Sequence, residues 1–548
     1  MSKNLLTLFL AVVFLLPSAA FAQTAVKITA QEKMMADAIT ASQLKDYLYF
    51  VASDEMEGRD TPSRGLDLTA KFIALNLNRW GFKPAGDDGT FFQKIALKSE
   101  AIDADKTALQ IGDQKYQLNE DFFRIAGSAN GSAANVPLVF GGNGWMVKSK
   151  NIDALQTVDV KGKIVVLYSE GPNPRTLTQM PKDVTPADLS GTEGTDWADP
   201  MTNARAKGAA GIIVVATPQL QGFWAQLKQM LSGESMYPEK LREAAAVSPT
   251  DNFSVFLVSQ KVGNAIFAGE SSDKTSAASF AINKSGTMNL VSRSGTKFTQ
   301  NVVAVWEGSD AKLKSEMVAI GAHYDHVGIN PNAPGEDKIF NGADDDGSGT
   351  VAVLSIAEAL SKAKTRPKRS VLFVWHAGEE KGLWGSEYFN KFPTVDIKSV
   401  IAHLNIDMIG RSKKAGDADP KNKDLSGENE IYVIGAEMMS STLGAVTKDT
   451  NSGYLNLSYN YRYDDPKDPN RFFFRSDHFN YALNNIPVAF WFDGEHVDYH
   501  GAGDHADKID YARMEKITRT IFLTLWELTD LKERPKVDKQ LPPELTRR

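Results

Sequence analysis

The chain has no cysteine in its 548 residues. This absence excludes disulfide bonds, on which many exported proteins depend. It also excludes thiolate ligands, so a metal site in this chain must be built from His, Asp and Glu. That donor set suits zinc, cobalt or manganese in a reactive site better than a structural zinc bound by thiolates. Stability must come from packing or from bound metal.

Long hydrophobic runs and an excess of positive charge are also absent. The apolar stretch at residues 5–16 is too short to span a bilayer comfortably. It follows Lys3 and precedes Ala20-Phe21-Ala22, which predicts a signal peptide over residues 1–22. We expect an exported protein, periplasmic or extracellular, without stable membrane insertion after cleavage; the alternative is an uncleaved anchor. The net charge of −7 gives no argument for a nucleic-acid partner.

The length of the chain indicates two or three domains. Between residues 136 and 285, buried strands alternate with glycine turns and a proline-containing polar stretch, which predicts an inserted β-rich domain. The flanking segments, residues 23–135 and 286–531, are predicted to form one discontinuous domain. Residues 532–548 are charged and contain proline, and are predicted to be an exposed tail.

Apolar strands alternate with helical patterns from about residue 298 onward. The predicted strands are residues 301–307, 316–322, 370–375, 400–406, 431–434 and 486–492. The predicted helices are residues 349–363, 385–391, 438–449 and 514–528. This alternation predicts an α/β fold with a mostly parallel mixed sheet and helices on both of its faces.

Polar side chains follow four of these predicted strands. All eight histidines lie between His323 and His505, and open α/β sheets bind ligands at the carboxyl ends of their strands. The polar residues at or soon after the strand ends are His323, Asp325, His376, Glu379, Glu380, Asp407, Asp493, Glu495, His496, Tyr499 and His500. Together with the acidic turn at residues 344–346, they suit a hydrolytic site in which two divalent ions activate a water. One of the paired glutamates would bind metal, while the other would stay free to transfer a proton.

This ordered set of residues resembles metallopeptidase family 28. The family includes secreted di-zinc aminopeptidases, glutamate carboxypeptidases, transferrin-receptor ectodomains and glutaminyl cyclases. The resemblance covers most of the mature chain and implies the zinc-aminopeptidase fold, two Zn²⁺ ions (with Co²⁺ or Mn²⁺ as other possible ions) and peptide substrates. It makes residues 23–135 and 286–531 a peptidase catalytic domain. In the insert, the strings Val-Lys-Gly-Lys-Ile-Val-Val and Lys-Gly-Ala-Ala-Gly-Ile-Ile resemble a protease-associated domain.

The resemblance also implies a role for each site residue. The implied metal ligands are His323 and Asp407 for one zinc, Glu380 and His500 for the other, and Asp345 bridging both. Glu379 matches the general base, and Asp325 matches the carboxylate that orients His323. Tyr499 falls where some aminopeptidases of the family place a tyrosine that stabilises the oxyanion. A cis peptide bond often follows the bridging aspartate in this family.

Several polar residues near these motifs are interpreted as structural. His326, His376 and His403 are expected to be structural or to support the ligands, and His505 to lie in a loop. Asp344 and Asp346 are expected to form hydrogen bonds in the turn without binding metal. Asp477 is interpreted as a helix cap or as part of the substrate-pocket wall. The spacing of His496 and His500 is that of a zincin motif, but the Glu that should follow the first His is missing.

The sequence therefore predicts a secreted or periplasmic zinc-dependent aminopeptidase, in which metal-activated water attacks the peptide bond and Glu379 is the general base. One alternative is a carboxypeptidase or dipeptidase of the same family, with Arg411, Arg471 or Arg475 binding a substrate carboxylate. A glutaminyl cyclase and a non-catalytic binding module are further alternatives. The sequence makes no prediction of oligomeric state.

Overall fold

The structure is a computed structural model. It describes residues 26–125, 128–168, 178–244, 253–275 and 278–542. The predicted signal peptide, residues 1–22, lies outside the described residues. The chain divides into two compact units. The first comprises the described residues up to Gln93 and those from Asn301 onward, and the second comprises Lys94–Gln300. The predicted insert, residues 136–285, lies within the second unit.

Strands and helices are numbered along the chain. The strands are β1 (Lys83–Pro84), β2 (Phe92–Ile102), β3 (Ala108–Ile111), β4 (Gln114–Tyr116), β5 (Phe122–Arg124), β6 (Gly131–Phe140), β7 (Met146–Val147), β8 (Ile152–Asp153), β9 (Ile164–Tyr168), β10 (Trp197–Ala198), β11 (Gly211–Val215), β12 (Ser235–Pro238), β13 (Ser254–Val258), β14 (Phe280–Leu290), β15 (Ser292–Trp306), β16 (Met317–His323), β17 (Gly328–Ile329), β18 (Ile339–Phe340), β19 (Ser370–His376), β20 (Val400–Ile406), β21 (Glu430–Ile434), β22 (Ser458–Asn460) and β23 (Val488–Phe492). The α-helices are α1 (Ala30–Ala36), α2 (Ala41–Val51), α3 (Arg64–Arg79), α4 (Pro200–Ala206), α5 (Pro218–Gly222), α6 (Trp224–Leu231), α7 (Glu239–Ala244), α8 (Gln260–Phe267), α9 (Gly349–Lys362), α10 (Trp384–Lys391), α11 (Ser441–Gly453), α12 (His478–Leu483) and α13 (Tyr511–Asp530).

A mixed sheet forms the centre of the first unit, with strand order β15-β19-β16-β20-β23-β21-β22. The strands β19, β16, β20 and β23 run parallel, whereas β15 pairs antiparallel with β19 and β21 pairs antiparallel with β23. Every residue of β16, β19 and β20 is buried. Such continuous apolar strands are expected where both faces of a parallel sheet are covered.

Helices cover both faces of this sheet. Successive side chains of a strand point to opposite sides, so each strand contributes to an apolar cluster on either face. On β16, Val318 and Ile320 belong to one apolar cluster, which includes residues of α2, α9 and α13. Met317 and Ala319 belong to a second cluster, which includes residues of α10 and α12. The predicted α/β fold, with a mixed sheet between two helical layers, is confirmed.

The predicted elements differ from the observed ones mainly at their ends. The predicted strand 400–406 coincides with β20. By contrast, the helix predicted over residues 438–449 begins at Ser441 and ends at Gly453. The later start follows from Ser440, whose side chain accepts a hydrogen bond from the backbone N–H of Leu443 and thereby caps the helix.

The second unit contains its own sheet, which has eight strands among its described residues. The strand order is β4-β3-β14-β6-β9-β11-β13-β5. The central strands β6, β9, β11 and β13 run parallel, and antiparallel strands flank them. In the ranges that the structure describes, no helix combines the length and the apolar character that crossing a bilayer requires.

Candidate metal centre

The carboxyl edge of the first unit's sheet brings His323 and Asp407 together. His323 is the last residue of β16, and Asp407 directly follows β20. These strands are parallel neighbours, so their carboxyl ends lie at the same edge. Nε2 of His323 lies 3.6 Å from Oδ1 of Asp407, and both side chains are buried. The two residues form one half of a candidate set of metal ligands.

Asp345 lies between this pair and a second histidine. Its Oδ1 lies 3.3 Å from Nε2 of His323, and its Oδ2 lies 3.1 Å from Nε2 of His500. Each oxygen of one buried carboxylate therefore faces a different imidazole. A carboxylate that bridges two cations has this arrangement.

Glu380 completes the second half of the set. It lies in the loop that follows β19, and its Oε2 is 3.0 Å from Nε2 of His500. His500 lies in the loop after β23 and adopts a positive φ of 50°. Neighbouring carboxylates reverse the effect of burial on His500: burial alone lowers its pKa, but Asp345 and Glu380 raise the pKa to about 10.

The donor atoms of both halves fit a pair of small divalent cations. Ligands held about 2.1 Å from a tetrahedral zinc lie about 3.4 Å apart. The His323–Asp345, His323–Asp407, His500–Asp345 and His500–Glu380 distances are 3.3, 3.6, 3.1 and 3.0 Å. In addition, Oδ2 of Asp345 and Oε1 of Glu380 are buried, and beyond the imidazoles of His500 and His326 they have no hydrogen-bond partner among the described residues. Buried carboxylate oxygens without such partners call for a cation.

The acidic turn at residues 344–346 is held rigidly by its surroundings. The buried carboxylate of Asp504 accepts hydrogen bonds from the backbone N–H groups of Asp344 and Asp345 at 3.0–3.1 Å. The peptide bond between Asp345 and Asp346 is cis. Oδ1 of Asp346 accepts a hydrogen bond from the backbone N–H of Gly349 at 2.8 Å. These contacts fix the direction in which Asp345 presents its carboxylate.

Gly349 allows this turn to approach the sheet closely. A Cβ atom at this position would lie 2.4 Å from the carbonyl oxygen of Ile406 and 2.4 Å from Oδ1 of Asp346. Any side chain at residue 349 would therefore push the acidic turn away from the end of β20. The glycine is needed for the approach of two chain segments, and its φ of −66° is ordinary.

Asp325 contacts His323 through its main chain as well as its side chain. Nδ1 of His323 lies 3.2 Å from the backbone oxygen of Asp325 and 3.7 Å from Oδ1 of its carboxylate. The same carboxylate accepts hydrogen bonds from the hydroxyl of Thr61 at 3.0 Å and from the backbone N–H of Glu379 at 3.2 Å. Asp325 thus connects the predicted metal ligand His323 to the predicted base Glu379.

Glu379 is close to the ligand set but lies on its pocket side. Its Oε2 is 4.0 Å from Nε2 of His323, and its side chain lines a pocket together with Asp345 and Asp407. Burial raises the pKa of the Glu379 carboxyl; His323 offsets part of that rise, and Glu380 and Asp407 add to it. A carboxyl group with a raised pKa that faces a pocket is suited to proton transfer.

Residues 301–525, which carry every one of these groups except Thr61, match the family model for peptidase family M28. These residues belong to peptidase family M28. The segment includes the whole sheet edge described above, from β16 to the loop after β23.

Curated relatives of this M28 segment are similar over part of their length. The chain is 27% identical over 282 residues to a probable leucine aminopeptidase 2 from Arthroderma benhamiae, covering 46% of this chain and 50% of the relative. It is 35% identical over 111 residues to leupeptin-inactivating enzyme 1 from Streptomyces exfoliatus, covering 20% and 22%. The chain therefore spans about half or less of the length of these relatives.

A solved structure shows the same fold over nearly the whole chain. The aminopeptidase from Aneurinibacillus sp. strain AM-1 superposes with a TM-score of 0.51 at 17% sequence identity, covering 93% of this chain and 98% of that one. At this identity the likeness establishes the fold alone, and it agrees with the zinc-aminopeptidase fold expected from the sequence.

The pocket beside the candidate metal ligands has an aromatic wall and a charged rim. Phe472, Phe490, Phe492 and Met408 line it together with Arg475, Glu495 and Tyr499. Nη2 of Arg475 donates hydrogen bonds to Oε1 of Glu495 at 2.6 Å and to the hydroxyl of Tyr499 at 3.4 Å. The Tyr499 ring stacks on the His500 ring with 4.0 Å between centroids. The predicted residue Tyr499 thus lies at the pocket and next to a predicted ligand.

Of the three arginines considered for a substrate carboxylate, one lines this pocket. Arg411 donates a hydrogen bond to Asp498 at 3.0 Å. The Arg471 guanidinium lies over the Phe474 ring, 4.3 Å from its centroid. Of these three arginines, only Arg475 is among the described residues that line the pocket.

Three further histidines pack among aromatic side chains on the α12 side of the sheet. The aromatic–histidine layer consists of His376, His403, His478 and Tyr481, all buried. The ring of His403 stacks on that of Tyr481 with centroids 3.7 Å apart and planes 7° apart. The hydroxyl of Tyr481 lies 3.2 Å from Nε2 of His376. Burial lowers the pKa of His376 and of His478 to about 3.

Some polar groups near the site could not be assigned from the sequence. Asp477 is fully buried, and burial raises its pKa to about 7. His496 lies 3.4 Å from Oδ2 of Asp344, so it braces the acidic turn. His326, which the sequence predicts to be structural or to support the ligands, has its Nδ1 2.8 Å from Oε1 of Glu380 and 3.6 Å from Oδ2 of Asp345. The sequence signal for it was its place directly after the His-Tyr-Asp string.

Proposed function

We propose that the protein is an exported, zinc-dependent aminopeptidase that releases N-terminal residues from peptides. The observation that carries this proposal is the Asp345 carboxylate, whose two oxygens face His323 and His500 from either side. The names of the relatives support the aminopeptidase reaction, since two of the three are called leucine aminopeptidase or aminopeptidase.

The proposed ligand set divides between two zinc ions, with Co²⁺ or Mn²⁺ as possible substitutes. His323 and Asp407 would hold one ion, Glu380 and His500 the other, and Asp345 both. When bound, a pair of such ions supplies Lewis acidity that acidifies water and polarises the carbonyl of the scissile peptide.

Glu379 is the proposed general base and, later in the reaction, the general acid. Its carboxylate takes a proton from the attacking water and gives it to the nitrogen of the leaving amine. Its position at the pocket allows contact with the substrate, and the hydrogen bond from its backbone N–H to Asp325 fixes the loop that carries it. Asp325 in turn holds the ring of His323.

Tyr499 is proposed to donate a hydrogen bond from its hydroxyl to the oxygen that becomes negative during attack. Burial raises the pKa of Tyr499, and the nearby Asp345 and Glu380 carboxylates raise it further. The hydroxyl therefore keeps its proton at neutral pH and remains a donor. Tyr499→Phe would remove this contact together with the hydrogen bond that the hydroxyl accepts from Nη2 of Arg475.

We propose that residues 1–22 are a cleaved signal peptide and that residues 136–285 are a protease-associated domain. The first proposal is supported by the Ala20-Phe21-Ala22 string, and the second by the strand and glycine-turn strings of the insert. N-terminal sequencing of the exported protein, with Gln23 expected as its first residue, tests the signal peptide.

A substrate panel tests the aminopeptidase proposal. Purified protein is given leucine anilide, its N-acetylated counterpart, and an N-blocked peptide with a free C-terminus. The proposal predicts cleavage of the first substrate alone. Release of the C-terminal residue from the N-blocked peptide, without anilide cleavage, would contradict it.

A dipeptidase is the second candidate, and Arg475 is the observation that favours it. Both hydrogen bonds of its guanidinium come from Nη2 within the described residues, so Nε and Nη1 can still receive a carboxylate. The test compares Leu-Gly with its C-terminal amide. A dipeptidase would lose most of its kcat/KM on the amide, whereas an aminopeptidase would cleave both at similar rates.

A further inference from the structure

We propose that His326 is an additional protein ligand of the ion held by Glu380, His500 and Asp345. This inference rests on the proposed metal centre and extends it. The two metal positions would then be unequal. Four protein groups would surround the ion on the His500 side, and three would surround the ion on the His323 side. The Asp346 carboxylate, which also lies near His323 and Asp407, instead accepts hydrogen bonds from the backbone N–H groups of Gly349 and Met408.

The first argument is the direction and distance of the His326 ring. It is fully buried, and its Nδ1 lies 2.8 Å from Oε1 of Glu380 and 3.6 Å from Oδ2 of Asp345. These separations bracket the value of about 3.4 Å between neighbouring ligands of a tetrahedral zinc. The same three side chains each direct one ligand atom into a common space.

The second argument is that no further hydrogen bond accounts for the facing atoms of His326, Glu380 and Asp345. Nδ1 of His326, Oε1 of Glu380 and Oδ2 of Asp345 are all buried, and beyond their short contacts with one another and with His500 they have no hydrogen-bond partner among the described residues. An imidazole nitrogen and two carboxylate oxygens in that condition are costly unless a cation joins them. By comparison, both ring nitrogens of His403 also lack a hydrogen-bond partner among the described residues, but its ring stacks on Tyr481, whereas His326 faces two carboxylates.

The third argument is that the backbone around His326 is fixed by a buried arginine. The guanidinium of Arg59 is 0% exposed and donates hydrogen bonds to the carbonyl oxygens of Tyr324, Asn341 and Gly342. It thereby joins the segment before His326 to the segment that leads into Asp345. A Cβ on Gly342 would lie 2.4 Å from Cγ of the His326 ring, so only glycine leaves room for the ring.

The pocket borders the His323 position through one of its proposed ligands. Asp407 lines it with Glu379 and the shared Asp345, whereas the described residues that line it do not include His323, Glu380, His500 or His326. A zinc with four protein ligands is closed to further groups, whereas one with three keeps a place for water or substrate. The proposal therefore assigns substrate contact to the position formed by His323 and Asp407, and a holding role to the position beside His326.

The direct test counts imidazoles by zinc X-ray absorption on wild-type protein loaded with zinc alone. The proposal predicts about three imidazole ligands per pair of ions, whereas the shared ligand set without His326 gives about two. A count of two would overturn the proposal. Protein that retains no zinc at all would contradict the proposed metal centre itself, so the two failures are distinguishable.

Two variants extend the test, with unfolding followed by circular dichroism. In His326→Ala, the imidazole count should fall to about two, and affinity at one of the two positions should fall at least 10–100-fold in a chelator competition. His326→Asn, which keeps a polar group near the Nδ1 position, should lose the imidazole and part of the affinity. His505→Gln, a loop residue paired with Asp337 at 3.1 Å, is the matched control and should keep both values. Unchanged zinc affinity and imidazole count in folded His326→Ala would overturn the proposal.

Discussion

Histidines in two regions of the M28 segment meet opposite surroundings. In the proposed metal centre, the carboxylates of Asp407 and Glu379 outweigh burial and raise the pKa of His323, and the pKa of His500 rises to about 10. In the aromatic–histidine layer, burial acts without opposing carboxylates and lowers the pKa of His376 to about 3. The comparison shows that neighbouring charges, more than burial, decide whether a histidine here prepares a cation site or packs as a neutral ring.

The largest expected effect separates proton transfer from metal binding within the centre. Glu379→Gln removes the proposed base but leaves every proposed ligand in place. Hydrolysis of leucine anilide should fall by about 10²–10⁴-fold, while zinc content by elemental analysis stays at the wild-type level. Wild-type turnover in this variant would remove Glu379 from the base role.

A ligand substitution should produce the reverse pattern. Glu380→Ala removes one of two carboxylates that face His500. The affinity for one of the two ions should fall by more than about 100-fold, and activity should recover partly when excess zinc is added. Chelator competition measures the affinity. The proposal treats the two metal positions as separable, and equal loss of both ions would contradict it.

The aromatic–histidine layer should respond in stability and not in metal content. In the wild type the His403 ring stacks on the Tyr481 ring with 3.7 Å between centroids, so His403→Ala leaves a cavity against Tyr481. We expect unfolding to become easier by about 2–4 kcal/mol. Denaturant titration measures the change, with His505→Ala, at a half-buried loop residue, as the control. Loss of zinc from folded His403→Ala would blur the distinction between the two regions.

A smaller effect concerns the pH dependence of chelator-treated protein. The folded pKa of His500 is raised above its unfolded value of about 6.5, to about 10. Its contribution to stability is therefore complete below about pH 6.5 and is lost as the pH rises through about 10. His376 has the opposite sign: its pKa is lowered, so its contribution is present above about pH 6.5 and is lost as the pH falls toward 3.

Melting temperatures of chelator-treated wild-type protein and His500→Gln check this sign. The wild type should be the more stable at pH 6, and the difference should shrink as the pH approaches 10. A difference that grows with pH would mean that the carboxylates around His500 do not act as described.

Much of the sheet edge could be predicted because its pattern is local. Asp407 directly follows a strand that the apolar run delimits, and Glu379 with Glu380 follows another soon after its end. The rule that ligands gather at carboxyl ends of parallel strands then brings these residues together. The same kind of local pattern predicts the α/β fold and the two helical layers, which the structure confirms.

The rest depended on tertiary packing that has no local signature. The sequence gives the same expectation for His326 and His403. In the structure His326 faces two carboxylates, whereas His403 faces a tyrosine ring. The buried Arg59 binds carbonyl groups that are far from it in the sequence. The predicted start of α11 is too early. The prediction follows an apolar run that begins before Ser440, whereas the Ser440 cap sets the first residue of the helix.

The central claim is that two ions are held around Asp345 and that peptide hydrolysis depends on them. The most direct measurement is elemental analysis of protein purified without chelators, combined with leucine anilide hydrolysis before and after metal removal. The account predicts about two zinc ions per chain, loss of activity on removal and recovery when zinc returns. Protein with almost no bound metal and full activity would contradict it.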